Sequence, residues 1–158
     1  MSMIIYLVAA SDDELTKMAN DNDADLLSEQ RYASGRVADA DKAWHAIHYC
    51  LTGDGMGGSF PAAFLLFGGN PFEADYGYGP ARGIDAQTAR TIKGVFDELS
   101  DSLIDDRLTK AATLADPLYP GFEWNDEDIE YIKHGLNSFK TFISQQVERG
   151  EGFVVIMS

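Results

Sequence analysis

From Ile129 to Val147 the apolar residues Ile129, Ile132, Leu136, Phe139, Ile143 and Val147 recur at spacings of three and four. That is the repeat of one face of an α-helix. A stripe this long has to be laid across another apolar surface, so the chain needs a broad partner layer. Asn125, followed by Asp126, Glu127 and Asp128, supplies an N-cap and favourable charge, and Arg149-Gly150 marks the end. The partner layer is read at the two ends of the sequence. Residues 3–9 and 153–157 are runs of β-branched, aromatic and other apolar residues, the pattern of buried strands. Strands at both ends with helices between them predict an α/β (α+β) fold, a single domain over residues 1–158 with one central sheet.

The interior divides by local signals. Ser11-Asp12-Asp13-Glu14 has the spacing of a capping box and predicts a short helix through Ala19. An acidic loop follows over residues 20–30, and "DKAWHAIHYCL" at 41–51 reads as a helix ended by Gly53, Gly55, Gly57 and Gly58. "FPAAFLLFGGNPF" is apolar without a defining period, and "YGYGPARGID" reads as a short extended piece bent at Pro80. Asp85 is placed to cap a helix through Ala89, Ile92 and Leu99, and a further helix spans about residues 102–112.

Charge narrows the function classes. With 12 Lys plus Arg against 26 Asp plus Glu, the formal net charge is -14. Nucleic-acid binding needs cations to displace phosphate counterions, and an anionic membrane surface repels such a chain. A basic protein is the partner this charge attracts. No apolar stretch reaches the roughly 20 residues of a membrane span. No Lys or Arg precedes the apolar run near the start, so it reads as a strand rather than a signal peptide. The lone Cys50 leaves no intrachain disulfide, which fits a reducing compartment, and the expected setting is cytoplasmic. Oligomeric state does not follow from these features.

Candidate chemistry centres on the 41–53 helix. Ala43, Ala46, Ile47 and Cys50 form a small-residue stripe suited to close packing, and Cys50 reads as a buried thiol. Asp41, His45 and His48 share a neighbouring face, and Asp41, one turn earlier, is placed to orient His45 and raise its pKa. Either histidine suits a general base, and both also suit a structural role at a helix boundary. A metal site would need a third ligand near His-x-x-His, so neither metal nor cofactor is expected. Gly53, Gly55 and Gly58 have dinucleotide-fingerprint spacing, but a helix rather than a strand precedes them. Asp21, Asp23 and Asp25 imitate a calcium loop that has Leu26 and Tyr32 where glycine and glutamate belong. Tyr78 and Arg82 in "YGYGPAR", with Trp124 in "LYPGFEW", add aromatic walls and an anion-binding side chain. A polar pocket of Asp41, His45, His48, Tyr78, Arg82 and Trp124 is therefore the candidate site.

Five stretches in order, "MSMIIYLVA", "DKAWHAIHYCLTG", "YGYGPARGID", "YPGFEWNDEDIEYI" and "GFVVIM", together resemble the YfbM-like family of small bacterial proteins. The resemblance implies a three-layer α/β/α domain and no assigned activity. Two readings of function remain. One is a small acidic binding protein, in the extreme a toxin-neutralising, immunity-type module that covers a basic site on its partner. The other is a small-molecule-binding domain or enzyme built on the His/Asp/Arg pocket. The lack of a complete catalytic motif favours the first.

Overall fold

The sheet is built around the two ends of the sequence. A computed structural model describes residues 2–21 and 25–158. In it β1 (Ile5–Ala10) and β5 (Gly152–Met157) lie side by side and antiparallel, from Ile5 opposite Met157 to Ala10 opposite Gly152. β2 (Val37–Asp39) extends the sheet beyond β1. β4 (Pro80–Ile84) and β3 (Asn70–Asp75) extend it beyond β5, in the order β2-β1-β5-β4-β3. Every pairing is antiparallel. The two terminal runs are therefore strands of one sheet, as their composition predicts.

Both central strands are apolar throughout because both faces of the sheet are covered. Alternation sends Ile5, Leu7, Ala9, Phe153 and Val155 into the larger core and Val8, Ala10, Val154 and Ile156 into a smaller one. The larger core holds α3 (Trp44–Thr52), α4 (Ala86–Glu98), α5 (Asp101–Ala111) and α6 (Asp126–Glu148). The smaller core is closed by Leu15 and Met18 of α1 (Asp12–Met18) together with Leu26. The layers are helix, sheet, helix, with most of the helical mass on one side. α2 (Glu29–Ala33), capped by Ser28, follows the acidic loop read over residues 20–30; positions 22–24 of that loop, Asp23 included, lie outside the described residues.

The caps form as the sequence spacing predicts. Ser11 and Glu14 close the capping box of α1, Asp85 accepts from Thr88 N–H, and Asn125 accepts from Asp128 N–H. On α6, Ile132, Leu136, Phe139 and Ile143 are buried along the expected stripe. The helix also comes very close to α3. A Cβ on Gly135 would stand 2.9 Å from Ala40 Cβ and 3.2 Å from Ile47 Cδ1. The small residues Ala43, Ala46 and Cys50, all fully buried, permit that approach.

One local expectation needs correction, and one stretch without a defining period gains a type. The 41–53 helix begins later than its sequence suggests: Asp41–Ala43 form a 3₁₀ turn and the α-helix starts at Trp44. The 60–69 stretch, left without a type by its lack of period, folds as turns leading into β3. Among the described residues, no helix is long and apolar enough to cross a membrane.

Candidate functional site

His45 and His48 do not face a shared pocket with Arg82. Each ring turns back onto the glycine loop that ends α3, donating Nε2–H to the carbonyls of Gly55 (2.7 Å) and Gly57 (2.8 Å). His45 Nδ1 accepts the backbone N–H of Tyr119 at 2.8 Å, which fixes this neutral tautomer. Its ring stacks on Trp44, whose indole N–H donates to Met3 O and whose other neighbour is Tyr119. Burial lowers the pKa of both histidines, against the opposing pull of the carbonyl each one binds. For His48 the positive form is also disfavoured by His45 and favoured by Asp54.

Asp41 orients neither histidine. It sits at φ 48, and its carboxylate accepts the Tyr131 hydroxyl at 2.7 Å. The late helix start is the physical reason, since a residue in the preceding turn does not share the His45 face. Arg82 is engaged by backbone instead of ligand: its guanidinium donates to the carbonyls of Gly68 (2.7 Å), Phe64 (3.0 Å) and Leu65 (2.8 Å). Burial lowers its pKa to about 10, still a cation at neutral pH. Tyr78 stands with Arg82 at a groove on the β4 side of the sheet. Trp124 packs on Phe122 and lines a separate hollow with Leu108 and Ile129. The six residues thus fall in several places, and only some of them meet. Cys50 is fully buried, and burial raises its thiol to about 12, which removes it as a nucleophile. Among the described residues no group of three or more His, Cys, Asp or Glu could hold a metal ion.

The structure builds a different site around Asp41. A cleft of about 550 Å³ opens between the 3₁₀ turn, the 120–123 loop and the first turns of α6. Its carboxylates are Asp41, Glu123, Glu127 and Asp128, faced by the single cation Lys42, with Phe122 and Tyr131 as aromatic wall. Tyr131 closes one side by donating to Asp41 and accepting Lys42 N–H at 2.9 Å. Burial, then the bond to Asp41, pushes its phenol up to about 12, so it serves as a fixed donor. On the other side Asp128 accepts the N–H groups of Glu123 and Trp124, both at 2.9 Å. Among the described residues Asp41 and Trp124 are the two non-glycine positions with positive φ, at 48° and 61°. That conformation is costly for a bulky side chain such as Trp and more readily adopted by Asp.

A family model described as a domain of unknown function, DUF1877, matches residues 1–156. The chain belongs to the DUF1877 family. The crystal structure of YfbM from Escherichia coli, a protein of unknown function, is similar in fold, with a TM-score of 0.67 at 16% sequence identity. The likeness covers 98% of this chain and 99% of that one. No curated protein matches the chain.

For this DUF1877 domain, sequence reasoning located two parts of the cleft, Asp41 and the neighbourhood of Trp124. It missed Tyr131 and took Glu127 and Asp128 only as charge at a helix start. The signal available was the density of acids beside "YPGF", in a stretch whose aromatic residues precede a helix N-terminus.

Proposed function

We propose that the protein is a binding module for a basic protein partner, whose cationic side chains enter the acidic cleft. The observation that carries this reading is the cleft itself: four carboxylates, one opposing lysine and two aromatic rings around an open space of about 550 Å³. Lysine and arginine side chains suit such a space, the charge meeting carboxylates and the stem or guanidinium lying on aromatic faces. The net charge of -14 adds long-range attraction and faster association with a basic partner. Neutralising a basic toxin surface, an immunity-type role, is one specific form of this activity that suits a small acidic domain. The cleft walls are held by internal hydrogen bonds before any partner arrives, which reduces the entropy cost of binding.

The test compares two charge-matched double variants against an arginine-rich peptide at low and physiological salt. Asp41→Asn/Glu127→Gln removes two charges from the cleft, and Asp13→Asn/Glu29→Gln removes two exposed charges elsewhere. The cleft variant is expected to bind at least about fivefold more weakly than the control variant, with a shallower salt dependence. Equal losses in the two variants would reduce the attraction to net charge and remove the cleft as the site.

A further inference from the structure

The charges on the walls of the acidic cleft are of both signs, and only some of them are already engaged. The protein itself occupies two of the carboxylates. Asp41 accepts the Tyr131 hydroxyl at 2.7 Å, and Asp128 accepts the N–H groups of Glu123 and Trp124. Among the described residues the salt bridges are made by Arg36, Lys93 and Lys133, and the side chains of Lys42, Glu123 and Glu127 are left without an ion pair or hydrogen bond. The free charge is therefore two carboxylates and one ammonium around an open space of about 550 Å³.

Lys42 is a fixed part of this wall. Its backbone N–H donates to the Tyr131 hydroxyl at 2.9 Å, and the same hydroxyl donates to Asp41, so one phenol ties both residues to α6. The lysine is half-buried, and its ammonium lines the cleft without pairing to any of the four carboxylates. A site for cations alone gains nothing from it, because the ammonium repels a lysine or arginine side chain by the same law through which the carboxylates attract it. The arrangement fits an occupant that carries both charges, a cation for Glu123 and Glu127 and an anion for Lys42.

A basic protein supplies both charges on a single residue at its chain end, where the side chain of a terminal lysine or arginine is a cation and the α-carboxylate is an anion. Capture of a terminal carboxylate is a recurring mode of peptide recognition. The cleft's volume falls within the roughly 300–1,000 Å³ of small-ligand sites, the scale of a chain end rather than of a long segment. We infer that the cleft docks the C-terminal residue of its partner, an arginine or lysine, with the side chain at Glu123 and Glu127 and the α-carboxylate at the Lys42 ammonium. Phe122 and Tyr131 are the surface on which the guanidinium or alkyl stem lies. This inference rests on the reading of a basic partner and names the part of it that enters. It also reverses one expectation. In the field of a chain with net charge -14, an amidated terminus is the better ligand, because amidation removes a negative charge. Contact with Lys42 makes the free carboxylate better, since more distant acids are screened within about 8 Å at physiological salt.

The experiment uses an acetylated arginine-rich peptide ending in arginine, in free-carboxylate and amidated forms, with free arginine as a competitor. Affinities are measured by fluorescence anisotropy at physiological salt on the full chain, on Lys42→Gln, on Lys42→Arg and on Asp41→Asn/Glu127→Gln, with thermal melts to confirm that each variant is folded. Wild type is expected to bind the free-carboxylate form about fivefold more tightly than the amidated form, the scale of one exposed ion pair. Lys42→Arg keeps that preference. In Lys42→Gln it disappears, and the amidated peptide binds at least as tightly as it does to wild type, because an opposing cation is gone. Equal or tighter binding of the amidated form by wild type, or a carboxylate preference that persists in Lys42→Gln, would overturn the inference and leave the acidic cleft standing. Wild-type affinity for both forms in Asp41→Asn/Glu127→Gln would remove the cleft itself, and the inference with it. Free arginine that displaces the carboxylate peptide at concentrations near the peptide's own Kd would assign the site to the amino acid and overturn a protein terminus as its occupant.

Discussion

Acidification should destabilise the fold through two histidines before its carboxylates matter. In the folded state His45 and His48 are neutral Nε2–H donors to Gly55 O and Gly57 O. Protonation must place a second N–H at Nδ1. For His45 that atom already accepts Tyr119 N–H, and for His48 it is buried without a hydrogen-bond partner. Burial accordingly lowers both pKa values from the ordinary 6.5. The unfolded chain takes up these protons as pH falls through about 6.5, while the folded chain does not until lower pH, so stability is full above that value and lost below it. While both folded rings stay neutral, the loss approaches about 1.4 kcal/mol per pH unit for each histidine, or about 2.7 for the pair. Protonation of surface carboxylates relieves repulsion in so acidic a chain and acts in the opposite direction, so the informative quantity is the difference between variants. Urea unfolding from pH 8 to pH 5 of wild type, His45→Gln, His48→Gln and the double variant measures it. Each single substitution should remove about half of the histidine slope, and the double variant should remove it all. A double variant with the wild-type slope would refute the assignment of these rings as neutral carbonyl donors.

Further outcomes follow from packing. Gly135→Ala drives a Cβ to 2.9 Å from Ala40 and should cost about 1–3 kcal/mol in urea unfolding, whereas Gly94→Ala, with open space at its Cβ, should not destabilise. Arg82→Ala leaves three carbonyls of the 64–68 turn without their donor and should lower the melting temperature, and Arg82→Lys should not fully restore it because an ammonium cannot reproduce the planar fork. Cys50, fully buried with its thiol pushed up to about 12, should resist alkylation in the native protein and react only when denaturant opens the core.

The frame of the fold was legible because its signals are local. Residues 3–9 and 153–157 are continuous apolar runs, the 129–147 stripe carries its own period, and the caps at Ser11, Asp85 and Asn125 are set by contacts three residues away. The site was not legible for the opposite reason. Asp41 meets Tyr131 across 90 positions and His45 meets Tyr119 across 74, and no periodicity encodes such pairings. The helix wheel put Asp41 beside His45 because it assumed one continuous α-helix, and the 3₁₀ turn breaks that phase. The glycines after α3 read correctly as a terminating loop, with Gly53 left-handed at φ 73, but nothing local shows that two buried imidazoles hold that loop in place.

The most direct measurement of the central claim is amide chemical-shift mapping of the full chain titrated with an arginine-rich peptide at physiological salt. The account predicts the largest shifts at Asp41, Lys42, residues 121–123 and Tyr131, all lost in Asp41→Asn/Glu127→Gln. Shifts spread evenly over exposed acidic residues, or concentrated on α1 and α2 with the cleft unmoved, would contradict it.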